Sequence, residues 1–174
     1  QDGFRIPMMK LYDRGEPNET LFNLLRANIR VPDMTLGDLR GQLSACYTGE
    51  QAVLELVERH GIEMFENCAA ALIDYSERLV RSEIQSWPDS TSTFIDYMDS
   101  DGCGGPRVKI KCQMTVAGDE LTADFTGSDL QVPGAINATM SYTVAAVGFA
   151  MRAAMHEMVP NTEGMFRPLT VIAP

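Results

Sequence analysis

Histidine is nearly absent, with two residues in 174, and there is one Trp. No CxxC pair occurs, and the four cysteines, Cys46, Cys68, Cys103 and Cys112, are spread singly. A structural zinc centre therefore lacks its ligands. A chain of this size needs no disulfide staples, so the cysteines are expected to be reduced and core-type, as in a cytoplasmic protein. Basic residues are scarce too: 14 Lys and Arg face 24 Asp and Glu, a net charge of −10. That balance repels a phosphate backbone and excludes sequence-independent nucleic-acid binding. No run is long and apolar enough for a membrane span. Leu130 to Met151 carries no charge, but Pro133, Gly134 and Asn137 interrupt it. No Gly-Lys-Ser/Thr is present, so a Walker A nucleotide loop is excluded. Neither histidine has a Ser or Cys partner at a triad spacing.

What is present suits a core of ordinary size. The chain is 45% hydrophobic at 19.2 kDa, and scaling gives a folded surface of about 8,400 Å² against roughly 28,000 Å² unfolded. The N-terminus, Gln1-Asp2-Gly3-Phe4-Arg5-Ile6-Pro7, shows neither initiator Met nor signal peptide, and the C-terminus stops in the strand-like run Leu169 to Ile172. Both ends are those expected of an internal piece of a longer polypeptide.

The first half has helical periodicity. Pro17 to Arg30 sets Leu21, Leu24, Leu25 and Ile29 on one stripe, with Pro17 or Asn18 as the start signal. A second helix is expected from Asp33 or Thr35 to His60, with Thr35 and Asp38 as a capping-box-like pair. Gly37, Gly41 and Gly49 lie along it and suggest close packing or a kink. A third runs through Phe65, Cys68, Leu72, Tyr75 and Leu79 to Trp87-Pro88, and Gly61 between the two suits an antiparallel hairpin.

After Pro88 the period shortens to two. Thr91 to Met98, Arg107 to Val116 and Leu121 to Thr126 read as strands of a meander, the last two joined by a turn at Ala117-Gly118-Asp119-Glu120. Ala138 to Met151, rich in small residues, is expected to be a helix buried all round, and Phe166 to Ile172 a final strand. The fold class is thus α+β: a helical hairpin packed with a small antiparallel sheet, plus a buried C-terminal helix. Residues 1–174 form one piece, mainly helical over 1–87 and mainly strand, buried helix and final strand over 88–174.

Two loops have chemical potential. Asp124-Phe125-Thr126-Gly127-Ser128 leads through Gly134 to Asn137 at a helix start, an arrangement whose free N–H groups suit an anion or a carbonyl oxygen. Asn137 capping the helix, with the glycines serving turns, is the structural alternative. Asp96, Asp99 and Asp101 before Gly102 lack the spacing and distal Glu of a calcium loop, so a solvated connection is expected there. His60 and His156 sit near helix ends, where the dipole favours an imidazolium.

Several blocks together resemble the hydantoinase B/oxoprolinase family: Asp2-Gly3-Phe4-Arg5-Ile6-Pro7, Asn28-Ile29-Arg30-Val31-Pro32 with Gly37-Asp38-Leu39-Arg40-Gly41-Gln42, and Asp74-Tyr75-Ser76-Glu77-Arg78. Asp124 to Ser128, Gly134 to Ala138 and Glu163-Gly164-Met165-Phe166-Arg167-Pro168 continue the series in family order. The resemblance implies the B-type subunit of an ATP-dependent cyclic-amide hydrolase of hydantoin or 5-oxoproline type. A ketone carboxylase subunit of the same family, or a non-catalytic interaction module, is the alternative. It further implies an A-type partner that binds ATP and phosphorylates the substrate carbonyl, and a divalent metal in the B-type subunit. The family's metal-binding His and Asp residues precede the Gly-Phe-Arg-Ile-Pro block, so no metal ligand and no catalytic residue is assigned to this stretch. The isolated piece is expected to be inactive. Asp124, Thr126, Gly127, Ser128, Gly134 and Asn137 are the candidate substrate- or partner-binding residues.

Overall fold

The computed structural model describes residues 6–173, so Asp2 to Arg5 of the opening block lie outside the described residues. The chain comprises two compact units, Gln1–Phe65 and Glu66–Pro174.

The first unit opens with a two-stranded ribbon, β1 (Tyr12–Asp13) and β2 (Glu16–Pro17). Arg14 and Gly15 both take positive φ, 52° and 85°, the geometry of a type I′ hairpin turn that matches strand twist. α1 (Glu19–Asn28) follows and is two residues shorter at each end than the periodicity predicts. Its cap is Asn18, whose Oδ1 accepts the Leu21 amide at 3.2 Å, while Pro17 remains in β2. α2 (Pro32–His60) begins before the Thr35/Asp38 pair, so that pair caps nothing. Pro32 starts it instead, because proline lacks the N–H that a first turn leaves unbonded and its ring presets φ. Leu21, Phe22, Leu25 and Leu36 form the core of this unit, with Leu11, Ile29 and Leu39 against it and Tyr12 edge-on to Phe22 at 5.8 Å. Only Leu36 of α2 is buried, and a Cβ at Gly37, Gly41 or Gly49 would meet nothing within 4 Å. The glycines of α2 thus mark no packed contact.

α2 ends at Gly61, φ +83°, whose N–H donates to Val57 O at 2.8 Å. α3 (Ile62–Gln85) then carries the chain into the second unit. Its distal half faces a sheet of β3 (Ser90–Met98), β4 (Val108–Ala117), β5 (Glu120–Asp124) and β6 (Leu169–Ile172), in that order. The first three strands form the expected meander. β6, however, lies parallel to β5, making the sheet mixed rather than antiparallel. The long excursion between β5 and β6, which includes α4, supplies the crossover a parallel pair needs. β6 is also shorter than Phe166 to Ile172, because Glu163–Phe166 closes into a 3-10 turn.

Val80 and Ile84 of α3, Leu121, Met151, Val159 and Met165 form the core of this unit, flanked by Trp87, Met114, Val116 and Leu169. α4 (Met140–Ala154) buries Val147, Gly148 and Met151 but exposes Tyr142 and Phe149. It is therefore buried along one face, not all round; small, uncharged residues permit burial but do not compel it. No helix among the described residues is long and apolar enough to cross a membrane. The cysteines also differ from expectation: Cys46, Cys68 and Cys103 are exposed and Cys112 half-buried, since none falls at the centre of either core. Burial and the charge of Asp124 push the Cys112 thiol up.

Candidate functional site

The loop from Asp124 to Asn137 leaves the end of β5 and is held at three places. At its start, Asp124 Oδ1 accepts the Thr126 amide at 2.8 Å. The Thr126 hydroxyl and that amide, with Lys111 nearby, hold the Asp124 carboxyl below the usual carboxylate range. Asp124 lies opposite Gln113 in the ladder, so it belongs to the face away from Leu121 and Ala123. Gly127 takes φ +93° with the Lys111 side chain over it, a conformation that L side chains rarely adopt.

Next, Ser128 and Asp129 extend the pairing beyond β5. The Ser128 hydroxyl accepts the Lys111 amide at 3.0 Å and donates to Lys111 O at 3.1 Å. Asp129 Oδ2 accepts the Lys109 amide at 2.7 Å, and the Asp129 amide returns to Lys109 O at 3.0 Å. Ser128 and Asp129 thus take the place of a strand partner for this part of β4.

Finally, Asn137 clamps the far end. Its Oδ1 accepts the Val132 amide at 2.9 Å, and its Nδ2 donates to Val132 O at 2.7 Å and Gly134 O at 3.0 Å. Asn137 is therefore not the helix cap. Thr139 is, accepting the Tyr142 amide at 3.3 Å. The amides of Thr126, Ser128, Asp129 and Val132 are bonded within the fold, so the loop offers fewer free donors than its sequence suggests.

The residue that anchors this loop was not legible as such in the sequence. Asp101, expected in a solvated connection, is 4% exposed. Its Oδ1 accepts the Cys103 amide at 2.8 Å and the Gly105 amide at 3.1 Å. These bonds and the Gly134 amide hold its carboxyl below the ordinary range. The backbone of Asp101 is so near Gly134 that a Cβ there would sit 1.8 Å from Asp101 O. The signal was an aspartate followed by three glycines within four residues: a carboxylate needing donors, and backbone slim enough to bring them. Asp101 and Asn137 hold the Gly134 end of the loop, while Asp124 and Ser128 fix its start through Thr126 and Lys111.

Two other family-like blocks meet in the fold. Arg167 Nη1 meets Asp74 Oδ1 at 3.0 Å and Glu77 Oε2 at 2.9 Å, and Glu77 Oε1 also accepts Arg81 Nε at 2.8 Å. Ser76 is buried, and a Cβ at Gly164 would lie 1.9 Å from Ile73 O. The Asp74 to Arg78 and Glu163 to Pro168 blocks thus lock each other. His156 does not stand free: its ring Nδ1 lies 2.9 Å from Glu83 Oε1, which also accepts the His156 amide at 3.0 Å. In the first unit, Arg40 of the Gly37 to Gln42 block lines an open cleft of about 430 Å³ with Tyr12, Leu43, Ser44, Tyr47 and Thr48. Among the described residues no group of three or more His, Cys, Asp or Glu could hold a metal ion. The described residues do not fit a metal centre.

A mixed four-stranded sheet backed by helices, with a clamped loop at the end of β5, defines an α+β domain. The hydantoinase B/oxoprolinase family model matches residues 1–174, and the chain belongs to that family. It is 31% identical over 184 residues to a protein of Pseudomonas sp. (strain NS671) named as the B-type subunit of a D-/L-hydantoinase, covering 99% of this chain and 31% of that protein. It is 30% identical over 170 residues to the beta subunit of the caprolactamase of Pseudomonas jessenii, covering 98% of this chain and 29% of that protein. The crystal structure of the ATP-dependent caprolactamase from Pseudomonas jessenii superposes with a TM-score of 0.83 at 29% identity, over 99% of this chain and 30% of that one. A nucleotide-free acetone carboxylase shares the fold, with a TM-score of 0.82 at 17% identity over 97% of this chain and 24% of that one. The chain spans about a third of the length of these two curated relatives.

Proposed function

We propose that this chain is part of the B-type subunit of an ATP-dependent cyclic-amide hydrolase in the cytoplasm, inactive by itself. The observation that carries the reading is the match along the whole chain to the hydantoinase and caprolactamase subunits named above, at 30–31% identity. The acetone carboxylase likeness, at 17%, supports the fold alone. ATP belongs on an A-type partner, and the divalent metal on ligands in the part of the B-type polypeptide outside this chain.

A lactam resists water because resonance stabilises its C–N bond. Phosphorylation of the carbonyl oxygen converts that oxygen into a leaving group and creates an anionic intermediate. The Asp124 to Asn137 loop is assigned to the substrate or to the A-subunit interface. In support, a loop whose Asp101 and Asn137 bonds are already made reorganises little when a charged group docks. Its chemistry is positional: Lys111 supplies a cation beside Gly127, and Asp124 an acceptor on the same face.

The test is kinetic. The intact subunit with its A-type partner should open hydantoin, 5-oxoproline or caprolactam with ATP, and the 174-residue chain should not. Asn137→Ser and Asp124→Asn in the intact complex should each lower kcat/KM by at least about tenfold, or about 1.4 kcal/mol. Wild-type kinetics in both variants would return the loop to a purely structural role. Turnover of a ketone with bicarbonate, and not of a cyclic amide, would replace hydrolase by carboxylase.

A further inference from the structure

The first unit holds a cleft of about 430 Å³, lined by Tyr12 of β1 and by Arg40, Leu43, Ser44, Tyr47 and Thr48 of α2. All six residues belong to the same compact unit. The volume is that of a small-molecule site, and the loop reading above makes no use of it.

The helical repeat sets the α2 side of the cleft in two rows. Arg40, Ser44 and Thr48 follow one another at four-residue steps, and Leu43 and Tyr47 form the neighbouring row. At 1.5 Å per residue the polar row runs roughly 12 Å along the helix. It begins with a planar fork of donors and continues with two hydroxyls, whereas the second row is apolar and aromatic. Tyr12 adds another ring, held edge-on to Phe22 of the core at 5.8 Å.

The polar row is uncommitted. Among the described residues Arg40 makes no ion pair, and the hydroxyls of Ser44, Tyr47 and Thr48 make no hydrogen bond within the fold. None of the described residues lining the cleft is Asp or Glu, although the chain carries 24 of them. Asp38 stands two residues before Arg40 and so points to another side of the helix. Asp13, beside Tyr12, is bonded to Lys10 at 2.7 Å. The charge in the cleft is therefore positive and unneutralised in an otherwise acidic chain. A guanidinium takes a carboxylate through two parallel hydrogen bonds. Hydroxyls one and two turns further along suit a second polar group on the same ligand, and Leu43 with the two tyrosines covers the carbon chain between.

We propose that this cleft binds a small linear carboxylate, with Arg40 holding the carboxylate and Ser44 and Thr48 meeting an amide or ureido group further along. Hydrolytic opening of a hydantoin ring, in which the hydroxyl of water joins the carbonyl carbon and its proton the ring nitrogen, releases a molecule of this class. The cleft is then a product site. That last link rests on the hydrolase reading; the binding itself does not.

Calorimetric titration of the intact B-type subunit with N-carbamoylglycine, hydantoin and inorganic phosphate tests this. N-carbamoylglycine should bind at least about tenfold more tightly than hydantoin, which lacks the carboxylate, and than phosphate, which lacks the chain. Arg40→Gln and Arg40→Lys should each weaken it at least about tenfold, since neither replacement keeps the fork. Both are good helix formers, so circular dichroism should match wild type, and Asp124→Asn should leave the affinity unchanged. No binding of N-carbamoylglycine, equal binding of hydantoin or phosphate, or a loss with Asp124→Asn in place of Arg40→Gln would overturn the proposal. Arg40-dependent binding in a subunit that opens no cyclic amide would keep this site and remove the hydrolase reading alone. Turnover of a cyclic amide without such binding would do the reverse.

Discussion

Replacing Gly134 by Ala probes the junction on which the loop system depends. Gly134 does not take a left-handed φ, so nothing in its backbone conformation demands glycine. The constraint is space. The new Cβ would sit 1.8 Å from Asp101 O, 2.7 Å from Asp101 C and 2.8 Å from Asp101 Cβ. Two of these are backbone atoms, and an ordinary contact is about 3.5 Å, so one of the two loop segments must move by more than about an ångström. Asp101 cannot yield freely, because its carboxylate is bonded to the Cys103 and Gly105 amides. The cost falls at the upper end for overpacking, about 3 kcal/mol. In a unit of this size that lowers the melting temperature by roughly 10 °C. Gly41→Ala is the matched control: it is helical, open on all sides, and should raise stability by about 0.4–1 kcal/mol. Thermal melts followed by circular dichroism measure both. A Gly134→Ala melt within a degree or two of wild type would show that the two loops are not in contact and would refute the anchoring role of Asp101.

Two further outcomes follow from the same geometry. Glu77, Glu83 and Asp101 all have carboxyls held below their ordinary values, Glu77 chiefly by Arg167, Glu83 by His156 and Asp101 by the Cys103 amide. Their contributions are complete above the unfolded values, 4.5 for the glutamates and 3.8 for Asp101, and are lost as pH falls through the lower folded values. Urea midpoints should therefore drop below about pH 4.5, and Glu77→Gln should flatten that drop; an unchanged pH profile in the variant would contradict the Arg167 pairing. Thr162 Oγ1 is buried without a hydrogen-bond partner, so Thr162→Val, which keeps the shape and removes the orphan hydroxyl, should gain about 1 kcal/mol in the same urea assay. A loss of stability there would mean that the hydroxyl is bonded after all.

Periodicity determined the kind and rough extent of most elements. Leu21 and Leu25 spaced one turn apart state which face turns inward before any partner is known, whereas of the alternating set Val108 to Val116 only Met114 and Val116 pack on the core and Ile110 is exposed. The turns at Gly61 and Gly118 were legible for the same local reason, since glycine tolerates a positive φ that other residues resist. The family-like blocks were legible as blocks, yet their spacing did not reveal that Arg167 reaches back to Asp74 and Glu77, because the chain brings these residues together only on folding. Tertiary structure alone decided that β6 joins β5 in parallel, that α4 buries one face, and that Asn137 clamps a loop while Thr139 caps the helix. It also decided that Asp101 is buried rather than solvated. A side-chain amide or carboxylate beside glycines has many possible backbone donors and acceptors of similar strength. Which of them it takes is settled by the packing of segments distant in sequence, and no local pattern encodes that choice.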